Sequence, residues 1–226
     1  MAQKEEIKQT AAEKLGNFLF ANRTVVLTIV GIVAVLLIGY SVAIVAIDKT
    51  NEKGLAQIED ITFVLTNKSS DLSDADLANR GAVALEKLQP LAAKKGIICV
   101  RANMLAADLA FADKKYEDAR KYYLAAVAAG KKSYTAPLCY FNAAVCSEEL
   151  SDADAAVSYY ESAIAYVDFF EANHAQFSIG RIKEAKKDYA GAAEAYQKLL
   201  DKNAADSWGS MARTRMIALK NEGSVQ

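Results

Sequence analysis

Between Arg23 and Asp48 the chain carries no charge for 24 residues, from Thr24 to Ile47, and reads VVLTIVGIVAVLLIGYSVAIVAI from Val25 onward. As a helix rising about 1.5 Å per residue this run reaches roughly 36 Å, more than the ~30 Å hydrocarbon core of a bilayer. Many of its residues are β-branched. In lipid, however, every backbone N–H and C=O must be paired within the segment, so a transmembrane helix is expected over 24–47. The triplet Ser41-Val42-Ala43 has the small-x-small form of a leader cleavage site. The apolar run is much longer than the roughly 7–15 residues of a leader core, so it is expected to stay as an anchor. Four basic residues precede it (Lys4, Lys8, Lys14, Arg23), and only Lys49 and Lys53 follow closely. That bias places residues 1–23 in the cytoplasm and the long remainder on the other side.

Residues 2–22 bring Ile7, Ala11, Leu15, Phe18 and Leu19 to one face at helical spacing. The expectation there is a short amphipathic helix along the membrane surface, or an extension of the membrane helix. Beyond residue 47 the charges nearly cancel, so no basic excess favours nucleic acid. Alanine is abundant, prolines number only two, and β-branched residues rarely alternate, which argues for packed helices and against strands. Three cysteines, Cys99, Cys139 and Cys146, cannot form a complete disulfide framework and read as buried thiols.

The chain repeats itself after residue 95. It reads DKKYEDARKYYLAAVAAG around Ala119, LSDADAAVSYYESAIAY around Ala156 and KKDYAGAAEAYQKLLDK around Ala192. Each copy places a trio at i, i+4 and i+7: Ala119/Tyr123/Ala126, Ala156/Tyr160/Ala163 and Ala192/Tyr196/Leu199. That spacing puts each trio on one helix face. Another helical stretch precedes each copy, over Ile97–Ala112, Pro137–Leu150 and about Glu171–Lys186. The expected turns are at 113–115, 151–152 and 187–188. Ser151 or Asp152 fits an N-cap, and Pro137 fits a first helical turn.

These residues resemble the tetratricopeptide repeat (TPR), a helix–turn–helix unit. The likeness rests on the three trios, on Tyr116 and Tyr189 where the second helix begins, and on Ala107, Ala144 and Gly180 at the tight crossing. The early tryptophan and the closing proline of that unit are missing, and the period exceeds the family's by two or three residues, which implies longer turns between repeats. Residues 48–95 are expected to form a divergent helix pair. Its first helix carries Leu55, Ile58, Ile61, Phe63 and Leu65. Its second begins after Ser73, with Asp76 three residues on, and is kinked or ended by Pro90. Residues 96–226 hold the TPR-like repeats, closed by a capping helix with Trp208, Met211, Ala212, Met216 and Leu219. The fold class is therefore all-α: one transmembrane helix, then an α-solenoid of antiparallel helix pairs. This plan resembles that of the YfgM-type bacterial inner-membrane proteins. The resemblance implies an inner-membrane location, a domain facing the periplasm, and partners in the Sec translocon or the envelope chaperones.

No phosphate loop, zinc motif or nucleophile elbow occurs, so no enzyme, cofactor or metal is expected. A Cys–His pair using His174, the one histidine, is outweighed by a plain helix-surface role. By resemblance to TPR proteins, the first helices would line a groove for a protein or peptide partner. In the first repeat it would use Arg101, Met104, Asp108 and Phe111; in the second, Leu138, Phe141, Val145 and Glu148; in the third, His174, Phe177, Arg181 and Glu184. Phe111, Phe141 and Phe177 would form an apolar strip. The function expected is a membrane-anchored adaptor in protein export or envelope assembly. Its alternatives are a cytosol-facing receptor or scaffold and a structural subunit of a membrane complex.

Overall fold

The computed structural model describes residues 10–203 and 205–225. These hold ten α-helices, one 3-10 turn and no strand, so the chain is all-α as its composition predicts. It divides into two compact units, Met1–Glu52 and Lys53–Gln226.

In the first unit, α1 covers Ala11–Ala21. The sequence pattern for this segment began at residue 2, and its part before Thr10, including Ile7, lies outside the described residues. Thr10 and Glu13 close a reciprocal capping box: Glu13 N–H donates to Thr10 Oγ1 at 3.3 Å and Thr10 N–H to Glu13 Oε2 at 2.8 Å. Asn22 leaves the helical region and its side chain donates to Phe18 O, which separates α1 from the helix that follows. That helix, α2, spans Arg23–Thr66. It runs beyond the expected stop at Ile47, because Asp48 ends the apolar run but no proline or capping signal ends the helix. From Val25 to Ile47 the large apolar side chains stand exposed, with the half-buried Val26 as the exception. The hydroxyls of Thr28 and Ser41 donate to Thr24 O and Leu37 O, so the helix satisfies them itself. Among the described residues this is the one helix long and apolar enough to cross a membrane.

The second unit is a solenoid of pairs. Its first pair joins α2 from Lys53 onward to α3, Asp74–Ala92, which Ser73 caps and which ends two residues after Pro90. Arg80 donates to Val64 O and Asn67 O at 2.9 and 2.8 Å, covering orphan carbonyls at the end of α2. The next pairs are α4 (Gly96–Ala112) with α5 (Tyr116–Ala129), α6 (Ala136–Glu149) with α7 (Ala153–Ile164), and α8 (Ala172–Ala185) with α9 (Tyr189–Asn203). Helix α10 (Ser207–Asn221) follows.

The turns inside the last three pairs are copies of one another. Lys114, Ser151 and Lys187 take the left-handed conformation. The N–H after each reaches back five residues, from Lys115 to Ala110 O, Asp152 to Ser147 O and Asp188 to Lys183 O, at 2.8–2.9 Å. This is a Schellman close without its usual glycine. Ser151 is thus the turn residue and Asp152 the N-cap, its carboxylate accepting from Ala155 N–H. The longer turns implied between repeats are found at 130–135 and 165–171.

The trios predicted from spacing are core. Tyr123, Tyr160 and Tyr196 are at most 4 % exposed and their flanking partners are buried with them. The core is a series of clusters, each shared between one pair and the first helix of the next. One cluster joins α2, α3 and α4, and another α4, α5 and α6; α6, α7 and α8 share a third, and α8, α9 and α10 a fourth. Each pair thus buries its apolar stripe by stacking on a neighbour.

Candidate functional site

The first helices carry the residues expected to line a groove. Arg101, Asp108 and Arg181 are exposed, and Met104, Phe111, Leu138, Val145, Glu148, His174 and Glu184 are half-buried. Phe141 and Phe177 are core residues at 8 % and 6 % exposure. The Phe141 ring lies 5.3 Å from Tyr160 and 6.1 Å from Phe169, and Phe177 lies 5.6 Å from Tyr196 and 5.5 Å from Trp208. Of the three rings in the expected strip, only Phe111 keeps a half-open face, and it rests edge-on against Tyr116.

What organises this surface is a polar link that recurs along the stack. Tyr160 in α7 donates its hydroxyl to Glu148 Oε1 at 2.7 Å, and Tyr196 in α9 donates to Glu184 Oε2 at 2.9 Å. Each carboxylate also takes an arginine from the next first helix: Arg181 Nη2 meets Glu148 Oε2, and Arg215 holds Glu184 through Nε and Nη2. In the earlier pair Tyr123 donates to Asp108 Oδ1 at 2.6 Å. Sequence reasoning found the acids and Arg181 but missed Arg215 and the tyrosine hydroxyls. An acid twelve residues ahead of a tyrosine, repeated 36 residues later, was the available signal.

The Arg215 guanidinium, helped by the Tyr196 hydroxyl, holds the Glu184 carboxyl below its usual range against the opposing effect of burial. Such a group adds stability above its unfolded pKa and loses that contribution as pH falls through the lower folded value. Glu184→Gln is therefore expected to cost about 1 kcal/mol at neutral pH, Arg215 being half in water and screened. Urea midpoints of variant and parent should converge between pH 5 and pH 3. A constant gap across that range would contradict the linkage.

His174 stacks on Trp208 at 3.9 Å and 8°, with its Nδ1 3.2 Å from Glu171 Oε2. This contact comes from α10, which sequence reasoning had treated only as a cap. The cysteines are held elsewhere. Cys99 donates to Ala92 O, and burial pushes the Cys139 and Cys146 thiols up to about 12 and about 11. These two thiols should resist an aromatic disulfide reagent at pH 8 in the folded chain and react fully in guanidinium chloride; fast labelling without denaturant would show that the core opens. Among the described residues no group of three or more His, Cys, Asp or Glu is placed to hold a metal ion.

A family model described as tetratricopeptide repeat matches residues 75–134 and 148–207, more than half of the chain. The chain belongs to the tetratricopeptide-repeat family. A TPR repeat-containing protein of Treponema pallidum (strain Nichols) is 32% identical over 130 residues, covering 58% of this chain and 54% of the relative. The chain thus spans about half the length of that curated relative. Among solved structures, BtubC (BKLC) from P. vanneervenii superposes with a TM-score of 0.54 at 16% identity, covering 74% of this chain and 73% of that one. That likeness supports the TPR fold alone. TPR stacks are scaffolds for protein–protein interaction, and their repeated first helices present an extended surface to a partner.

Proposed function

We propose that this TPR protein is a membrane-anchored, non-enzymatic adaptor. Residues 24–47 cross the bilayer, residues 1–23 lie in the cytoplasm, and the solenoid stands on the opposite side, where its groove takes a protein or peptide partner. The observation that carries the reading is the uncharged stretch of α2, whose large apolar side chains, Val26 apart, are exposed ahead of a TPR stack. Water would not tolerate that surface, and lipid would cover it. The exposed Leu15, Phe18 and Phe20 of α1 suit the membrane–water boundary. The bias of lysine and arginine toward residues 1–23 supports the orientation. An inner-membrane role in export or envelope assembly rests on the shared plan with YfgM-type proteins.

The test is side-selective labelling. Asn221 is exposed at the end of α10. Asn221→Cys, in a chain whose native cysteines are alanine, should react with an impermeant maleimide in cells whose inner membrane is intact. Labelling only after lysis would reverse the orientation and favour a cytosol-facing receptor or scaffold.

A further inference from the structure

We propose that Asp108 is a docking point for a basic side chain, arginine above all, carried by the protein partner that occupies the groove. This rests on the groove reading above and assigns the partner's chemistry. Its warrant is internal. In the second and third repeats a carboxylate fixed by a buried tyrosine accepts an arginine from the following first helix, Arg181 at Glu148 and Arg215 at Glu184. In the first repeat the same device is built from Tyr123 and Asp108, and among the described residues no cation pairs with Asp108. The following helix offers Asn142, beside the Tyr123 hydroxyl, and Val145 at the position that Arg181 takes one repeat later.

The two acids differ in register. Tyr160 and Tyr196 reach an acid twelve residues back, whereas Tyr123 reaches fifteen back, because Phe111 stands where Glu148 and Glu184 stand in their repeats. The carboxylate is therefore one helical turn nearer the start of its helix, and α6 itself carries no arginine to meet it. Asp108 is open to solvent, yet the surrounding helices withdraw enough water to push its carboxyl above the usual range, against the Tyr123 hydroxyl that favours the charge. With Oδ1 taken by Tyr123, Oδ2 is left for an incoming donor. Met104 and Phe111, half-buried one turn to either side, form an apolar shelf for an aliphatic stem. A guanidinium suits the site better than an ammonium, since it can bond the carboxylate while its flat face lies on that shelf.

The test uses the full chain in detergent micelles and two peptides, acetyl-Leu-Arg-Leu-amide and its citrulline counterpart, which has nearly the same shape and no charge. The side-chain resonances of Asp108 and Tyr123 are followed by NMR. The arginine peptide should shift them saturably and bind roughly tenfold more tightly than the citrulline peptide, because only the first makes a charge-assisted bond. Asp108→Asn keeps an acceptor for Tyr123 and should fold with an unchanged or higher melting temperature, yet lose that preference. Equal binding of the two peptides, or an arginine preference that survives Asp108→Asn, would overturn the docking point while leaving the groove in place. Absence of any shift along α4 and α6 with either peptide would overturn both the docking point and the groove.

Discussion

Replacing Tyr160 with alanine is expected to lower the melting temperature by roughly 6–20 °C and to split one unfolding transition into two. Tyr160 is 1 % exposed and sits where three helices meet: it projects from α7, packs on Phe141 of α6 and lies beside Ser178 of α8. Removing a buried aromatic ring costs about 3–5 kcal/mol, and a domain of this size shifts by about 2–4 °C per kcal/mol. The split follows from the architecture. Each cluster of the core joins only adjacent pairs, so a weak middle lets the two ends melt independently. Tyr160→Phe separates ring from hydroxyl. It keeps the packing and leaves Glu148 with Arg181, so it should cost only about 1 kcal/mol. Calorimetry of both variants decides the matter. A single transition for Tyr160→Ala within about 2 °C of the parent would mean that the ring is not the keystone its burial implies.

Gly180→Ala should cost about 3 kcal/mol, or roughly 6–12 °C, although alanine is the better helix former. A methyl group at Gly180 would lie 2.4, 2.6 and 2.9 Å from Cε1, Cδ1 and Cζ of Tyr196. That ring is 0 % exposed and its hydroxyl is held by Glu184, so it has nowhere to retreat. Gly81→Ala is the control. Gly81 lies inside α3 and a methyl group there meets nothing within 4 Å, so this change should stabilise by about 0.5–1 kcal/mol. Shrinking the ring with Tyr196→Leu should recover part of the Gly180→Ala loss, and strict additivity of the two changes would argue against the clash.

The fold was legible because its determinants are local. Ala156, Tyr160 and Ala163 share a face by spacing alone, and the turn at 151–152 has polar residues where a helix must break. The extent of α2 was misread because a charge was taken as a helix end, whereas only the apolar run ends at Asp48. The groove was harder. Whether Phe177 faces a partner or the core depends on Trp208, 31 residues later, which arrives on α10 and covers it. Glu184 was likewise expected in the groove, yet Arg215 and Tyr196 close on it. Helical periodicity identifies which side chains share a face but not what that face meets, and here the decisive partners come from the next turn of the solenoid.

The third repeat, α8 with α9, is joined to its neighbours on both sides by the same kind of bond: Arg181 points back to Glu148, and Glu184 receives Arg215 from ahead. A tandem copy of residues 166–201 would carry its own donor and its own acceptor, so each new Arg181 would meet the Glu184 of the copy before it. The second repeat offers no such symmetry, because Val145 stands where the donor would be. A lineage that lengthens or shortens this chain by whole repeats therefore has one segment that can be duplicated or excised without a mismatched seam.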